Sequence, residues 1–205
     1  MGERPMVELN PARTRLATVI SEVQSCTRCP TMEGQPRVLS AANGDESARC
    51  LVIAEAPGPH GAVSTGVPLK GDRTGDSFDK LLAVSGIDRT ELFISNAVLC
   101  SPRTDAGKGR KPAKAEVKRC THFVAALIEA LDPAIVVPLG ATALSSLGAI
   151  EGHDLTLKWD VGHVHRWNAR FVVPLFHPGA RSTIQRPWAE QMNDWKLLRT
   201  LLDPS

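Results

Sequence analysis

Residues 50–61 read CLVIAEAPGPHG. The first five, Cys50 to Ala54, form an unbroken apolar run between Arg49 and a Pro-Gly turn signal, the pattern of a short strand buried on both faces. Two similar runs follow, at 92–99 (LFISNAVL) and 134–139 (AIVVPL). Helical patterns separate them: 77–85 closed by Gly86, 113–131 closed by Asp132-Pro133, and 141–147 after the third run. Segments 161–167 and 170–175 read as a hairpin around Asn168, and 187–202 as a C-terminal helix with Pro near its first turn. Asn10-Pro11 reads as the cap and first position of a helix running to Gln24, with Leu16, Val19, Ile20 and Val23 on one face. Apolar strands alternating with helices predict an α/β protein, a three-layer αβα arrangement around a central, mainly parallel four-stranded sheet. One unit is expected over 1–205, with a helix and C-x-x-C segment at 1–48 and the α/β core at 49–205. Such sheets bind ligands at the carboxyl ends of their strands. The loop after Ala54, residues 96–100 and the loop opening at His177 should therefore converge on one edge.

The 205 residues carry 24 basic and 22 acidic side chains, a net charge of +2, with 42% hydrophobic content. That balance excludes a globally basic, histone-like protein and an acidic disordered tail. No apolar run reaches the ~18 residues of a membrane span, so no membrane association is expected. Residues 1–15 lack the apolar stretch of a secretory leader. The average hides a local charge, because residues 102–119 hold seven basic side chains and two acids. This loop is +5 and the rest of the chain −3. Arg103, Lys108, Arg110, Lys111 and Lys114 are its candidates for phosphate contact.

Five cysteines, an odd number in a chain large enough to fold without disulfides, point to a reducing cytoplasm and metal binding. Cys26 and Cys29 form a C-x-x-C, and Cys100 and Cys120 flank the basic loop. Four thiolates satisfy Zn²⁺ or an iron–sulfur cubane equally, so the spacing leaves the two open. Cys50, inside an apolar strand, reads as core.

Seven short pieces in this order resemble the uracil-DNA glycosylase superfamily, in its iron–sulfur families 4 and 5. They are CTRCP at 26–30, AEAPG at 54–58, TGVPLKGDRTG at 65–75, SNAVLC at 95–100, Cys120, VPLGATA at 137–143 and FHPG at 176–179. The resemblance implies a uracil-DNA glycosylase-like fold and a structural [4Fe-4S] cluster on Cys26, Cys29, Cys100 and Cys120, with zinc the lesser alternative. It implies hydrolysis of the bond between uracil and deoxyribose in DNA, the first step of base-excision repair.

That reaction passes through an oxocarbenium-like sugar and a departing base anion. It needs a carboxylate beside the sugar and a donor at the base O2. His177 resembles the family's O2 donor. Glu55 stands where family 4 has a glutamate, and Asp72 where family 5 has an aspartate, so two acids compete for the water-activating role. Asp72 could instead cap the following helix. Asn96 resembles the base-reading residue, since its amide can accept from uracil N3–H and donate to O4. Ala56, Pro57, Gly58, Pro59 and His60 would line the pocket. Leu69 stands where both families place a stacking Phe, a departure that puts the pocket wall in question. Residues 179–186 resemble the loop that enters the minor groove, with Arg181 as the candidate for filling the vacated space.

The expectation is thus a monomeric, cytoplasmic, nucleoid-associated glycosylase acting on uracil in single- or double-stranded DNA. Asp72 and His60 favour a broader enzyme acting also on hypoxanthine or ethenocytosine. Leu69 favours a non-catalytic, cluster-bearing DNA-binding module. A redox iron–sulfur protein is disfavoured by the Glu55 and His177 loops.

Overall fold

The computed structural model describes residues 11–203. Helix α1, Pro11–Gln24, precedes strand β1, Cys50–Ala54. Then come α2 (Ala62–Thr65), α3 (Arg73–Ser85), β2 (Leu92–Asn96) and α4 (Lys114–Leu131). The rest is β3 (Ile135–Pro138), α5 (Ala141–Gly148), α6 (Leu157–Asp160), β4 (His165–Trp167), β5 (Arg170–Val172), α7 (Ser182–Gln185) and α8 (Trp188–Leu202). The expected cap at Asn10 lies outside the described residues.

The sheet runs β2-β1-β3-β5-β4. All neighbours are parallel except β4 and β5. It therefore has five strands where four were expected. The fifth, β4, is a three-residue edge strand of the anticipated hairpin, joined to β5 by Asn168 and Ala169 at φ 47° and 57°. Two consecutive left-handed residues make the tight turn whose twist matches paired strands. The second apolar run is strand only to Asn96, because residues 97–100 leave the sheet toward the cysteines.

Alternation along β1 decides the layering. Leu51 and Ile53 point into a core with Leu16, Val19 and Val23 of α1, Phe123 and Leu127 of α4, and Leu147 of α5. Cys50, Val52 and Ala54 point the other way, onto Phe78 and Leu81 of α3 and Trp195 and Leu198 of α8. Each β1 side chain thus meets helices whichever face it takes, which is why the strand tolerates no polar residue. The Phe78 and Trp195 rings meet edge to face, 5.3 Å between centroids. Cys50 is a core residue as expected, and burial pushes its thiol far up. No helix among the described residues is long and apolar enough to cross a membrane.

The chain leaves β1 toward β2 on one side and leaves β3 toward β5 on the other. That reversal opens a crevice at the carboxyl ends of β1 and β3, where such sheets bind ligands.

Candidate active site

Glu55 is the first residue past β1, at the mouth of that crevice. It is half-buried, and one of its carboxylate oxygens accepts a hydrogen bond from Thr142 Oγ1 at 2.5 Å. Thr142 sits in the first turn of α5, just past β3, so the bond ties the two strands bordering the crevice. Sequence reading quoted this segment without giving Thr142 a role. A threonine beside the first turn of a helix carries no signal until its partner across the sheet is known.

His177 follows β5. The β3 and β5 strands extend toward it through a parallel bridge, Leu139 to Leu175, and the Gly140 N–H donates to the Leu175 carbonyl. A Cβ on Gly140, at φ 93°, would lie 3.7 Å from His177 Cβ, and one on Gly179 would lie 3.3 Å from His177 Nδ1. The ring is therefore held between two glycines that leave it room. Burial pushes its pKa below the ordinary histidine range, while the charges of Glu55 and Asp72 pull the other way. Both acids are thus close enough to act on the imidazole, which stays neutral at pH 7. A neutral ring can donate one N–H without giving up its proton.

Asp72 caps α3, accepting from the Gly75 N–H at 2.9 Å. Its other oxygen lies against the loop after β1: a Cβ built on Gly61 would collide with Oδ2 and one on Gly58 would stand 3.1 Å from it. The capping role and a place beside the pocket loop coexist in one carboxylate, with one oxygen given to each. Pro57 is buried, Ala56, Gly58 and Pro59 are half-buried, and His60 is exposed on the same loop.

Asn96 ends β2 in register with Ala54. It is 2% exposed, and its Nδ2 has no hydrogen-bond partner. A buried, unsatisfied amide costs about 1–3 kcal/mol, a cost that a ligand with a facing acceptor removes. Leu69 is 8% exposed and belongs to the core cluster with Ala54 and Phe78. Its backbone is left-handed, φ 51°, and its carbonyl accepts from Arg89, which is also paired with Asp79.

The four cysteines also come together. Cys26, Cys29, Cys100 and Cys120 line a cavity of about 210 Å³ along with Arg28, Arg37 and Arg119. Arg37 bridges to Cys100 and the Val38 N–H donates to the Leu99 carbonyl, while the Gln24 side-chain amide at the end of α1 donates to the Leu39 carbonyl. Among the described residues no three His, Cys, Asp or Glu side chains are grouped as a single bound ion would need. Four thiols lining one cavity are the donor set that a zinc ion and an iron–sulfur cubane share, and the arginines oppose thiolate charge there. Burial and the neighbouring thiols push Cys120 up to about 12 and raise Cys100. Loading a metal group there must displace protons.

The basic loop folds over this cavity and against the pocket. A Cβ on Gly109 would touch Pro59 at 3.4 Å. Lys108, Lys111 and Lys114 are exposed, and Arg103 is half-buried with its Nε unpartnered. Arg110 is engaged within the protein: it grips Glu116 through two nitrogens, at 2.8 and 2.6 Å. Glu116 is buried and also accepts from Thr31 and the Ala113 N–H. These bonds hold its carboxyl down at about 2. Because the folded pKa lies below the unfolded one, the stabilisation is whole above about pH 4.5 and disappears as pH falls toward 2. Glu116→Gln should destabilise the fold by about 3 kcal/mol at pH 7. In thermal melts the gap to the wild type should close as pH approaches 2.

The loop after His177 carries Arg181, exposed, and Ile184, 84% exposed on α7. The sequence alone singles out Arg181 in this segment and gives Ile184 no role.

A model described as the uracil DNA glycosylase superfamily matches residues 41–201. The chain belongs to the uracil-DNA glycosylase superfamily. Within that superfamily it is 34% identical to a type-4 uracil-DNA glycosylase of Thermotoga maritima, over 81% of this chain and 83% of that one. It is 27% identical to a type-4 enzyme of Archaeoglobus fulgidus, over 80% and 82%. A type-5 enzyme of Pyrobaculum aerophilum is 26% identical over 78% and 80%.

Proposed function

We propose that this protein excises uracil from DNA by hydrolysing the bond between the base N1 and the sugar C1′, opening base-excision repair. The observation that carries this reading is the pair at the β1–β3 crevice, Glu55 and a buried, neutral His177 on which its charge acts, with Asn96 ending the neighbouring strand β2 in register with Ala54 and its amide unsatisfied. Asn96 donates to uracil O4 and accepts from N3–H. Cytosine presents the reverse pattern and would leave groups unpaired. His177 donates to O2 as the C1′–N1 electron pair moves onto the base. Glu55, held by Thr142, orients a water toward C1′ and takes its proton as the new C–O bond forms. Asp72 adds negative charge beside the cationic sugar. The base leaves as the uracil anion, stabilised by His177.

Cys26, Cys29, Cys100 and Cys120 would hold a [4Fe-4S] cluster, which supplies a structural cross-link between the segment after α1 and the basic loop. Lys108, Lys111 and Lys114 contact phosphates, and Arg103 borders them. The protein acts as a monomer on chromosomal DNA in the cytoplasm. Ile184 serves as the apolar wedge behind the flipped nucleotide, with Arg181 beside it. Extracting a base from a duplex costs a few kcal/mol, whereas a single strand needs little. Ile184→Ala should therefore slow excision from a U·G duplex about tenfold and leave single-strand excision within about twofold. Equal losses on both substrates would remove the wedge role.

The type-5 likeness and Asp72 favour one further possibility, activity on hypoxanthine. Oligonucleotides carrying one uracil, one hypoxanthine or neither, followed by alkali, test both readings. Strand breaks at uracil are expected. Breaks at hypoxanthine of equal strength would widen the substrate class, and no break at either would overturn the enzyme assignment.

A further inference from the structure

The basic loop follows β2, so it grips DNA at one end of the sheet's carboxyl edge. The opposite end carries a feature that the excision chemistry leaves unused. Trp159, on α6, is 71% exposed, with the Lys158 ammonium 4.5 Å above its ring. Val164 is also exposed, at 37%. His163 and Arg166 are exposed beside them, the Arg166 guanidinium stacked on Phe171 at 4.3 Å. The segment's acid, Asp160, accepts from the Thr156 N–H at 2.7 Å and lies 3.4 Å from His165 Nε2. What remains outward is an aromatic face among cations.

Its position follows from the sheet. β4 runs antiparallel to β5, so residues preceding His165 project past the carboxyl end of β5, where Gly162 N–H donates to Pro174. Gly162 in turn lies against Arg186 and Asp194, next to the loop that carries Ile184. A groove lined by Ala141, Leu144, Ser145, Thr156 and Leu157 runs between α5 and the start of α6. With strands ~4.8 Å apart, β4 stands on the order of 10–15 Å from the β1–β3 crevice, about three to four base steps at ~3.4 Å each.

We propose that residues 158–166 form a second DNA contact, in which Trp159 stacks on an unpaired base of the substrate strand on the side of the pocket away from the basic loop. Lys158 and Arg166 meet the flanking phosphates. Aromatic platforms set in cationic surroundings bind single strands without regard to sequence, because every base offers a π-face. A substrate held by the basic loop alone would pivot about the lesion. A contact at each end of the sheet edge fixes it across the pocket. This inference rests on the glycosylase reading, since it places the strand over the same crevice.

The protein's own fluorescence reports the contact. Trp167 and Trp195 are buried and Trp188 is half-buried, so stacking should quench mainly Trp159. The probe is an eleven-residue oligothymidylate without uracil, titrated into the full-length protein. Wild type should bind with quenching. Trp159→Phe should keep its affinity within about twofold and lose most of the quenching. Trp159→Ala should bind about tenfold more weakly. It should excise uracil at the wild-type rate from a trinucleotide too short to reach the segment. If both variants match the wild type in affinity and quenching while the wild type still excises uracil, the second contact is wrong and the glycosylase reading stands. If Trp159→Ala alters sedimentation and not DNA affinity, the face joins two copies of the chain, which also overturns the proposal. A wild type that neither binds nor excises would overturn both readings.

Discussion

Glu55→Gln should lower single-turnover excision of uracil by about 10²–10⁴-fold, the usual reach of general-base catalysis. The amide keeps the size of the side chain and can still meet Thr142, so the fold should melt unchanged. What it loses is the charge that faces the cationic sugar and the basicity that takes the water's proton. Thr142→Val tests how that carboxylate is aimed. Without the Oγ1 bond, Glu55 is free to rotate away from the reacting carbon, and a displacement of an ångström can cost up to ~10²-fold. About tenfold is expected in kcat with KM unaltered, and Thr142→Ser should restore most of it. Asp72→Asn is expected to cost less than Glu55→Gln. Asn caps helices as well as Asp, so the Gly75 bond survives and only the charge near Gly58 and Gly61 disappears. A larger loss at Asp72 than at Glu55 would exchange their roles. For all these variants the rate should be flat above neutrality and fall at acid pH. His177 protonates there, below the ordinary histidine range because of its burial.

Cys120→Ser should abolish iron and sulfide incorporation and destabilise the protein by several kcal/mol. At ~2–4 °C per kcal/mol for a chain of this size, the melting temperature should fall by about 10–20 °C. Cys120 lies on α4 and packs against the core, so its loss opens the cavity from that side. The control is Cys50→Ala. Cys50 faces α3 and α8 on the far side of the sheet, and its loss should leave iron content unchanged. A Cys120→Ser protein with full iron, or a wild type that binds zinc and no iron, would remove the cluster assignment.

Much of this was legible in the residues, for identifiable reasons. The strand at 50–54 declares itself because burial on both faces leaves no room for polar side chains. That Glu55, Asn96 and His177 each stand at the end of a strand on one edge of the sheet was legible because the carboxyl ends of parallel strands share that edge. The fifth strand was less visible, since three residues, with Arg166 outward and His165 half-buried, carry too little apolar pattern. Thr142 was invisible because its role depends on a partner 87 positions away. Arg110 illustrates the opposite limit. Charge counting places it among the phosphate-binding side chains, yet its guanidinium grips Glu116 and braces the loop from within. Composition counts cations, and only packing shows which of them face water. The exposure of Ile184 and Trp159 is likewise a property of the tertiary surface.

Release of free uracil is the decisive readout of base excision by this protein. A duplex with a single U·G pair is incubated with the protein, and free base and alkali-labile sites are counted in the same sample, the base by mass spectrometry. One free uracil is expected for each alkali-labile site, at a rate reduced by at least about 10²-fold in Glu55→Gln. Absence of free uracil with the wild-type protein, or undiminished release by Glu55→Gln, would contradict it.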